Sequence, residues 1–333
     1  MPRRANARAG ESLPTEHHDP LEKYTRHRAF NSAIARQLYR DSETIDIGRR
    51  IANCATVLGL DIYDNDDQGV ETQIRSMRPC NARLCPFCEW RRTRVWRKRL
   101  FTGLEAFQEE HPKYVPIFLT LTVPNPCLED LRVTIKAMNG AWHRMTASKA
   151  FPTPYWFRRT EVTVGSTAPE APLMAHPHFH VLLLVKPSYF GKHYIKQLEW
   201  QKRWTNAMRS EVPLVVDVRR VRNARSSNSE LTPGSEPQRL ESASAVLEVA
   251  KYMSKATQLV EMGDALSEFH RQMGGLKLFT VSKSLKGFID EGLISEEEMC
   301  DENYHLAEGR LPDAKAIATW FDDTQEYVFT SIT

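Results

Sequence analysis

The sequence predicts an α+β fold: a largely antiparallel central sheet with flanking helices, preceded by a small Cys-rich segment. Three observations carry this. Strand-like and helical patterns follow one another in the order β-α-β-β-α-β between residues 115 and 221, which suits an antiparallel sheet with helices on one face. The apolar tail of the run at 178–185 is strand-sized and far too short to span a membrane. Three of the six cysteines fall within nine residues, 80–88.

Residues 1–20 are polar and aperiodic with Pro and His, and are expected to be disordered. Residues 21–65 read as helices leading into a short β segment. The Cys cluster follows, and an Arg-rich helix carrying Trp90 and Trp96 runs over 89–110. Residues 115–123 are strand-like, with Pro124 and Pro126 as a stop. Residues 128–150 have helical spacing. Strands are expected at 158–164 and 178–185, joined by a loop containing Gly165 and Pro169. A helix at 190–209 and a strand at 214–221 complete the alternation. The Ser-, Pro- and Glu-rich stretch 223–242 reads as a loop, 243–260 as a helix, and the remainder as shorter helices. The chain thus divides into 1–20, a helical and Cys-rich region 21–110, a central domain 111–265 and a helical region 266–333.

With 41% hydrophobic residues the chain can bury a sizeable core. The N-terminal stretch has no apolar segment of the kind that drives secretion, so a cytoplasmic protein is expected. A net charge of +3 implies no particular partner, but its distribution does. Residues 75–101 hold nine Lys or Arg and a single acid, Glu89. A local basic patch can bind phosphates where the average charge cannot.

His176-Pro-His178-Phe-His180 runs directly into Val-Leu-Leu-Leu-Val. Side chains alternate on a strand, so His178 and His180 project together while Phe179, Val181 and Leu183 face the other way. Two imidazoles so placed can share one divalent ion, and the apolar tail anchors them in a core. His176 has the same parity, but Pro177 is expected to bend the chain there. Glu161, on the preceding strand, can complete an octahedral site with open positions. This mixed nitrogen and oxygen set suits Mn²⁺ or Mg²⁺ better than a closed structural zinc.

A second signal is Glu248-Val-Ala-Lys251-Tyr252-Met-Ser-Lys255. At helical spacing Glu248, Lys251, Tyr252 and Lys255 share an arc of about 100°, and Val246, Val249, Ala250 and Met253 lie opposite. A phenol ionising near pH ~10 is a poor nucleophile at neutral pH. Lys255 or a metal ion could favour the phenolate, and Glu248 could take a proton from an attacking water or hydroxyl. The set fits phosphoryl transfer.

Cys80-x4-Cys85-Pro-Phe-Cys88 supplies three sulfurs at close range in a chain expected to meet a reducing compartment, where metal ligation is commoner than disulfides. Structural zinc takes four ligands. Cys54 is the natural fourth and His111 a poorer one; Cys127 and Cys300 stand alone. The helix that follows spreads Arg91, Arg92, Arg94, Arg97, Lys98 and Arg99 around most of its circumference. A knuckle that fixes such a helix against DNA phosphates makes physical sense.

The strand H-P-H-F-H-V-L-L, followed some seventy residues later by E-V-A-K-Y-M-S-K, resembles the HUH endonucleases, and more narrowly the rolling-circle plasmid replication initiators with one catalytic tyrosine. Phe118-Leu-Thr-Leu-Thr122 looks like that family's first motif, and the resemblance spans roughly residues 50–260. It implies His178 and His180 as metal ligands and Tyr252 as the residue that becomes 5′-phosphotyrosyl DNA. It also implies Glu248 as activator of water for the terminating cut, Lys255 as the family's helix lysine, and residues 111–265 as the endonuclease domain. The expected partners are plasmid origin DNA, single-stranded or hairpin, and a host helicase, since no G-x-x-x-x-G-K-[ST] loop is present. Two readings compete: a zinc-dependent DNA-binding regulator without catalysis, and a transposase or relaxase of the same chemistry.

Overall fold

A computed structural model describes residues 19–65, 69–165, 172–220, 256–300 and 310–333. In chain order the elements are α1 (Glu22–Leu38), α2 (Ile45–Ala52), β1 (Val57–Asp64), β2 (Val70–Met77), α3 (Pro86–Glu110), β3 (Val115–Thr122) and α4 (Leu131–Ala147). They continue with β4 (Trp156–Gly165), β5 (Met174–Val185), α5 (Gln197–Met208), β6 (Val216–Arg220), α6 (Ala256–Glu261) and α7 (Ala265–Met273). The chain finishes with β7 (Phe279–Val281), α8 (Glu296–Cys300), β8 (Ala314–Phe321) and β9 (Glu326–Ile332). Among the described residues no helix is long and apolar enough to cross a membrane.

The strands form two antiparallel sheets, of order β2-β1-β8-β9 and β6-β3-β5-β4-β7. The predicted β-α-β-β-α-β order is β3-α4-β4-β5-α5-β6, and this segment builds all but one strand of the second sheet. Its central strand is β5, because Val181–Val185 is apolar on both faces and needs neighbours and covering layers on every side.

Both faces of this sheet are covered, where the sequence led us to expect helices on one. Phe179, Val181, Leu183 and Val185 pack with Ile117, Leu119 and Leu121 against Met138, Ala141 and Trp142 of α4 and Trp200 and Trp204 of α5. The opposite parity, Leu182 and Leu184 with Phe118 and Phe157, packs against Trp96, Leu100, Leu104 and Phe107 of α3. Each such side chain contributes roughly 1.5–3 kcal/mol relative to exposure. Pro86 occupies the first turn of α3, where its missing N–H costs nothing, and Cys85 caps the helix by accepting from the Cys88 amide.

Two further expectations are corrected. The C-terminus is not helical throughout: β8 and β9 form a hairpin whose first strand pairs with β1, Leu58 facing Ala318 and Leu60 facing Ala316. Ala316, Ala318 and Trp320 alternate inward while Lys315, Ile317 and Phe321 are exposed, a half-buried strand pattern. Pro177 does not bend the chain away. β5 starts at Met174 and passes through it, because β3 stops at the Thr122–His178 pair and Pro177 has a strand neighbour only in β4.

Candidate active site

The face of β5 that meets α3 also carries the histidines. β3 places Thr120 opposite His180 and Thr122 opposite His178, and β4 places Arg159 opposite His180 and Glu161 opposite His178. The imidazole of His180 lies 2.9 Å from Glu161 Oε2 through Nε2, and that of His178 lies 3.6 Å from the same oxygen, also through Nε2. The other ring nitrogens are occupied from behind. His178 Nδ1 donates to the His176 carbonyl at 3.1 Å, and His180 Nδ1 is 3.5 Å from Thr120 Oγ1. Phe118 stacks on the His180 ring, with centroids 5.4 Å apart.

Both Nε2 atoms are therefore turned toward one carboxylate oxygen, and on giving up their protons to an incoming cation they would present lone pairs to it, with the backbone and a hydroxyl orienting the rings from behind. Glu161, His178 and His180 form a three-residue group whose ligand atoms lie within 4.8 Å of one another. Burial alone would raise the Glu161 carboxyl, but hydrogen bonds from His178 and His180 and their charges outweigh it and hold Glu161 well below the usual carboxylate range. Two neutral imidazoles and one carboxylate leave room for further oxygen ligands, so the donor set fits a divalent cation. His176 is exposed and turned elsewhere, with Nε2 2.9 Å from Asn125 Nδ2.

The four cysteines converge as well. Cys54, Cys80, Cys85 and Cys88 offer sulfurs within 4.8 Å of one another, with Cys54–Cys88 at 3.4 Å and Cys80–Cys88 at 3.7 Å. A tetrahedral ion with bonds of about 2.3 Å to sulfur requires sulfur separations of about 3.8 Å, so the cage fits. Backbone amides of Cys80, Ala82 and Cys88 point at the sulfurs of Cys54, Cys80 and Cys85 at 3.4–3.5 Å. The Cys88 thiol is held well below its ordinary value by the thiols of Cys54, Cys80 and Cys85, with Arg92 adding to the effect. Cys54 is thus the fourth member, and His111 sits in an aromatic group with Phe107, Tyr114 and Tyr155.

The basic helix divides in two. Arg91 is buried with Nε donating to the Met299 carbonyl, and Arg99 is held by Glu298 and by the carbonyls of Asp290, Gly292 and Leu293. Arg92 bonds the carbonyls of Asn81 and Ala82 and pairs with Glu89. A helix packed on several sides must turn part of an all-round basic run inward, and there it satisfies the carbonyls of irregular segments. Arg91, Arg92 and Arg99 are fastenings in this structure. Arg94 and Arg97 are half-buried and Lys98 is exposed. Glu248, Tyr252 and Lys255 lie outside the described residues.

One residue of this neighbourhood was not singled out from the sequence. Arg159 is 0% exposed, and among the described residues none of its three guanidinium nitrogens has a hydrogen-bond partner. Strand parity puts it on the face of Glu161 and His180, and that parity was the available signal. Burial pushes it down to about 10, opposed by the charges of Glu89 and Glu161.

The profile of the replication protein family matches residues 71–328. The chain belongs to this family. Protein rep from a Bacillus species is 33% identical over 223 residues, covering 66% of this chain and 69% of that protein. Protein rep of Bacillus amyloliquefaciens is 32% identical over 262 residues, covering 78% and 68%. Protein rep of Streptococcus pneumoniae serotype 2 is 28% identical over 270 residues, covering 74% of each. No solved structure matches. The resemblance to replication initiators drawn from the His and Tyr motifs agrees with this membership. The family match also takes in β8, beyond the span over which the motifs alone suggested it.

Proposed function

We propose that this replication protein starts rolling-circle replication by nicking one strand of a plasmid origin, and rejoins the ends when replication is complete. The observation that carries the reading is the convergence of His178 Nε2, His180 Nε2 and Glu161 Oε2 on one point of the sheet. A divalent ion held there, Mn²⁺ or Mg²⁺, would supply Lewis acidity to the scissile phosphate. The Tyr252 phenolate attacks the phosphorus, a P–O bond to tyrosine forms, and the bond to the DNA 3′-oxygen breaks, that oxygen taking a proton from solvent to become a 3′-hydroxyl. The bond energy is kept in the 5′-phosphotyrosine, so rejoining needs no nucleotide. Lys255 favours the phenolate, and Glu248 activates water for the terminating cut. The Cys cage would hold a structural zinc and so fix the first turn of α3, whose Arg94, Arg97 and Lys98 supply charge for the DNA backbone. The unwinding motor comes from the host, and the work takes place in the cytoplasm where the plasmid lies.

The test is to incubate the protein with Mn²⁺ and single-stranded or hairpin oligonucleotides from its plasmid's origin, then resolve products under denaturing conditions. A covalent protein–DNA adduct that chelator abolishes is expected. Tight DNA binding with neither adduct nor cleavage would instead favour a non-catalytic zinc-dependent regulator.

A further inference from the structure

We infer that Glu89 and Arg159 form a positioning pair that ties the Cys cage to the His178–His180–Glu161 site and sets how strongly that site binds a divalent cation. This rests on the proposed reading of those three residues as a cation site. Glu89 follows Cys88 directly on the first turn of α3, and its amide donates to the Cys85 carbonyl at 2.9 Å. The cage therefore fixes where its carboxylate stands. That carboxylate is buried, with Oε1 3.6 Å from the Arg159 guanidinium and Oε2 3.3 Å from Arg92. Arg159 is the cross-strand neighbour of His180 and stands two residues before Glu161 on the same face. On its other side the guanidinium lies over the Phe279 ring, 4.9 Å from the centroid, and Phe279 is itself stacked on Trp96 at 4.6 Å.

A fully buried cation beside a cation site is an unfavourable arrangement unless a carboxylate offsets it. Two carboxylates act on Arg159, Glu89 first and Glu161 second, while Arg97 of the same helix adds like charge. Glu89 thus has a definite electrostatic task. By neutralising Arg159 it leaves the Glu161 carboxylate available to a metal ion instead of engaged with the guanidinium. Removing Glu89 leaves Arg159 uncompensated, so it repels the ion and competes for Glu161. Removing Arg159 does the reverse. The Cys cage enters because it holds the turn that carries Glu89.

The opposite signs make the test decisive. Mn²⁺ binding to the full chain is followed by electron paramagnetic resonance, with melting temperature and Cys-cage metal content recorded for every variant. Glu89→Gln is expected to weaken Mn²⁺ binding roughly 10–100-fold, the usual scale for groups that support metal ligands. Arg159→Met is expected to strengthen it, and Glu89→Gln with Arg159→Met, which also guards against a single variant failing to fold, should return near wild type. Cys80→Ser should act in the direction of Glu89→Gln and add nothing to it. If folded Glu89→Gln and Arg159→Met both bind Mn²⁺ as wild type does, or both weaken it with their melting temperatures, the pair merely packs α3 on the sheet and the inference is overturned. If wild type shows no Mn²⁺ binding that His178→Ala removes, the cation site itself fails, a result distinct from failure of the coupling.

Discussion

His178 and His180 were legible because strand parity is a local property: two residues apart means one face, whatever the strand pairs with. Glu161 was legible as a strand carboxylate, but not its position opposite His178, because that depends on a register set across the hairpin from β4 to β5. Arg158 and Arg159 illustrate the limit. The two adjacent arginines are both buried, Arg158 over Phe179 on the α4 side and Arg159 on the α3 side. Only the presence of a layer on each face explains this, and no local pattern announces it. At this scale His178→Ala or His180→Ala should abolish cleavage while leaving duplex binding largely intact, since in the proposed mechanism the ion would act on the scissile phosphate and not on docking. A gel-shift assay beside a nicking assay checks both halves, and unchanged nicking would remove the site from the mechanism. Glu248→Ala should still nick and form the adduct, yet accumulate over-length replication products. A surface ion pair contributes only about 0.2–1 kcal/mol, so a Glu248 with no part in the chemistry would leave both steps nearly unchanged.

Elements with one dominant period were read well. The pattern gave α3 from residue 89 and the structure starts it at Pro86, and β3 differs from expectation by one residue. The β8–β9 hairpin was missed although Trp320, Phe321, Tyr327, Val328 and Phe329 are good strand residues. Its partner β1 lies some 250 residues earlier in the chain, and nothing near 314–332 reveals a sheet waiting to be completed. The packing of α1 on α3 has a pH signature. His27 of α1 stacks on Trp90 of α3 with centroids 4.4 Å apart, and burial first, then Arg26, Arg91 and Arg94, push its imidazole down to about 4. The unfolded chain therefore binds this proton more readily than the native one between pH ~6.5 and ~4. The contribution is fully present above that window and is lost as pH falls through it. Thermal melts of wild type should drop over this range, and His27→Gln should flatten that part of the curve. An equal acid sensitivity in the variant would show that other groups cause it.

Across the whole molecule, two sheets meet around α3. The Cys cage stands where the end of α2, the loop before α3 and the first turn of α3 come together, and the Tyr327 hydroxyl of β9 donates to the carbonyl of Ala55, next to Cys54. A metal in the cage thus joins segments far apart in sequence, and its binding energy is also folding energy. Elemental analysis of purified protein should find about one zinc per chain, and Cys85→Ser should lose it together with cooperative melting; a zinc-free preparation that melts as wild type does would leave the cage with no structural role. The central claim concerns chemistry at Tyr252, which the motif resemblance links to His178 and His180. Mass spectrometry of the protease-digested adduct, trapped with Mn²⁺ and an origin oligonucleotide, tests it most directly. The account predicts a nucleotide 5′-phosphate on the peptide containing Tyr252 and no adduct from Tyr252→Phe. Nucleotide on any other side chain, or wild-type adduct levels from Tyr252→Phe, would contradict it.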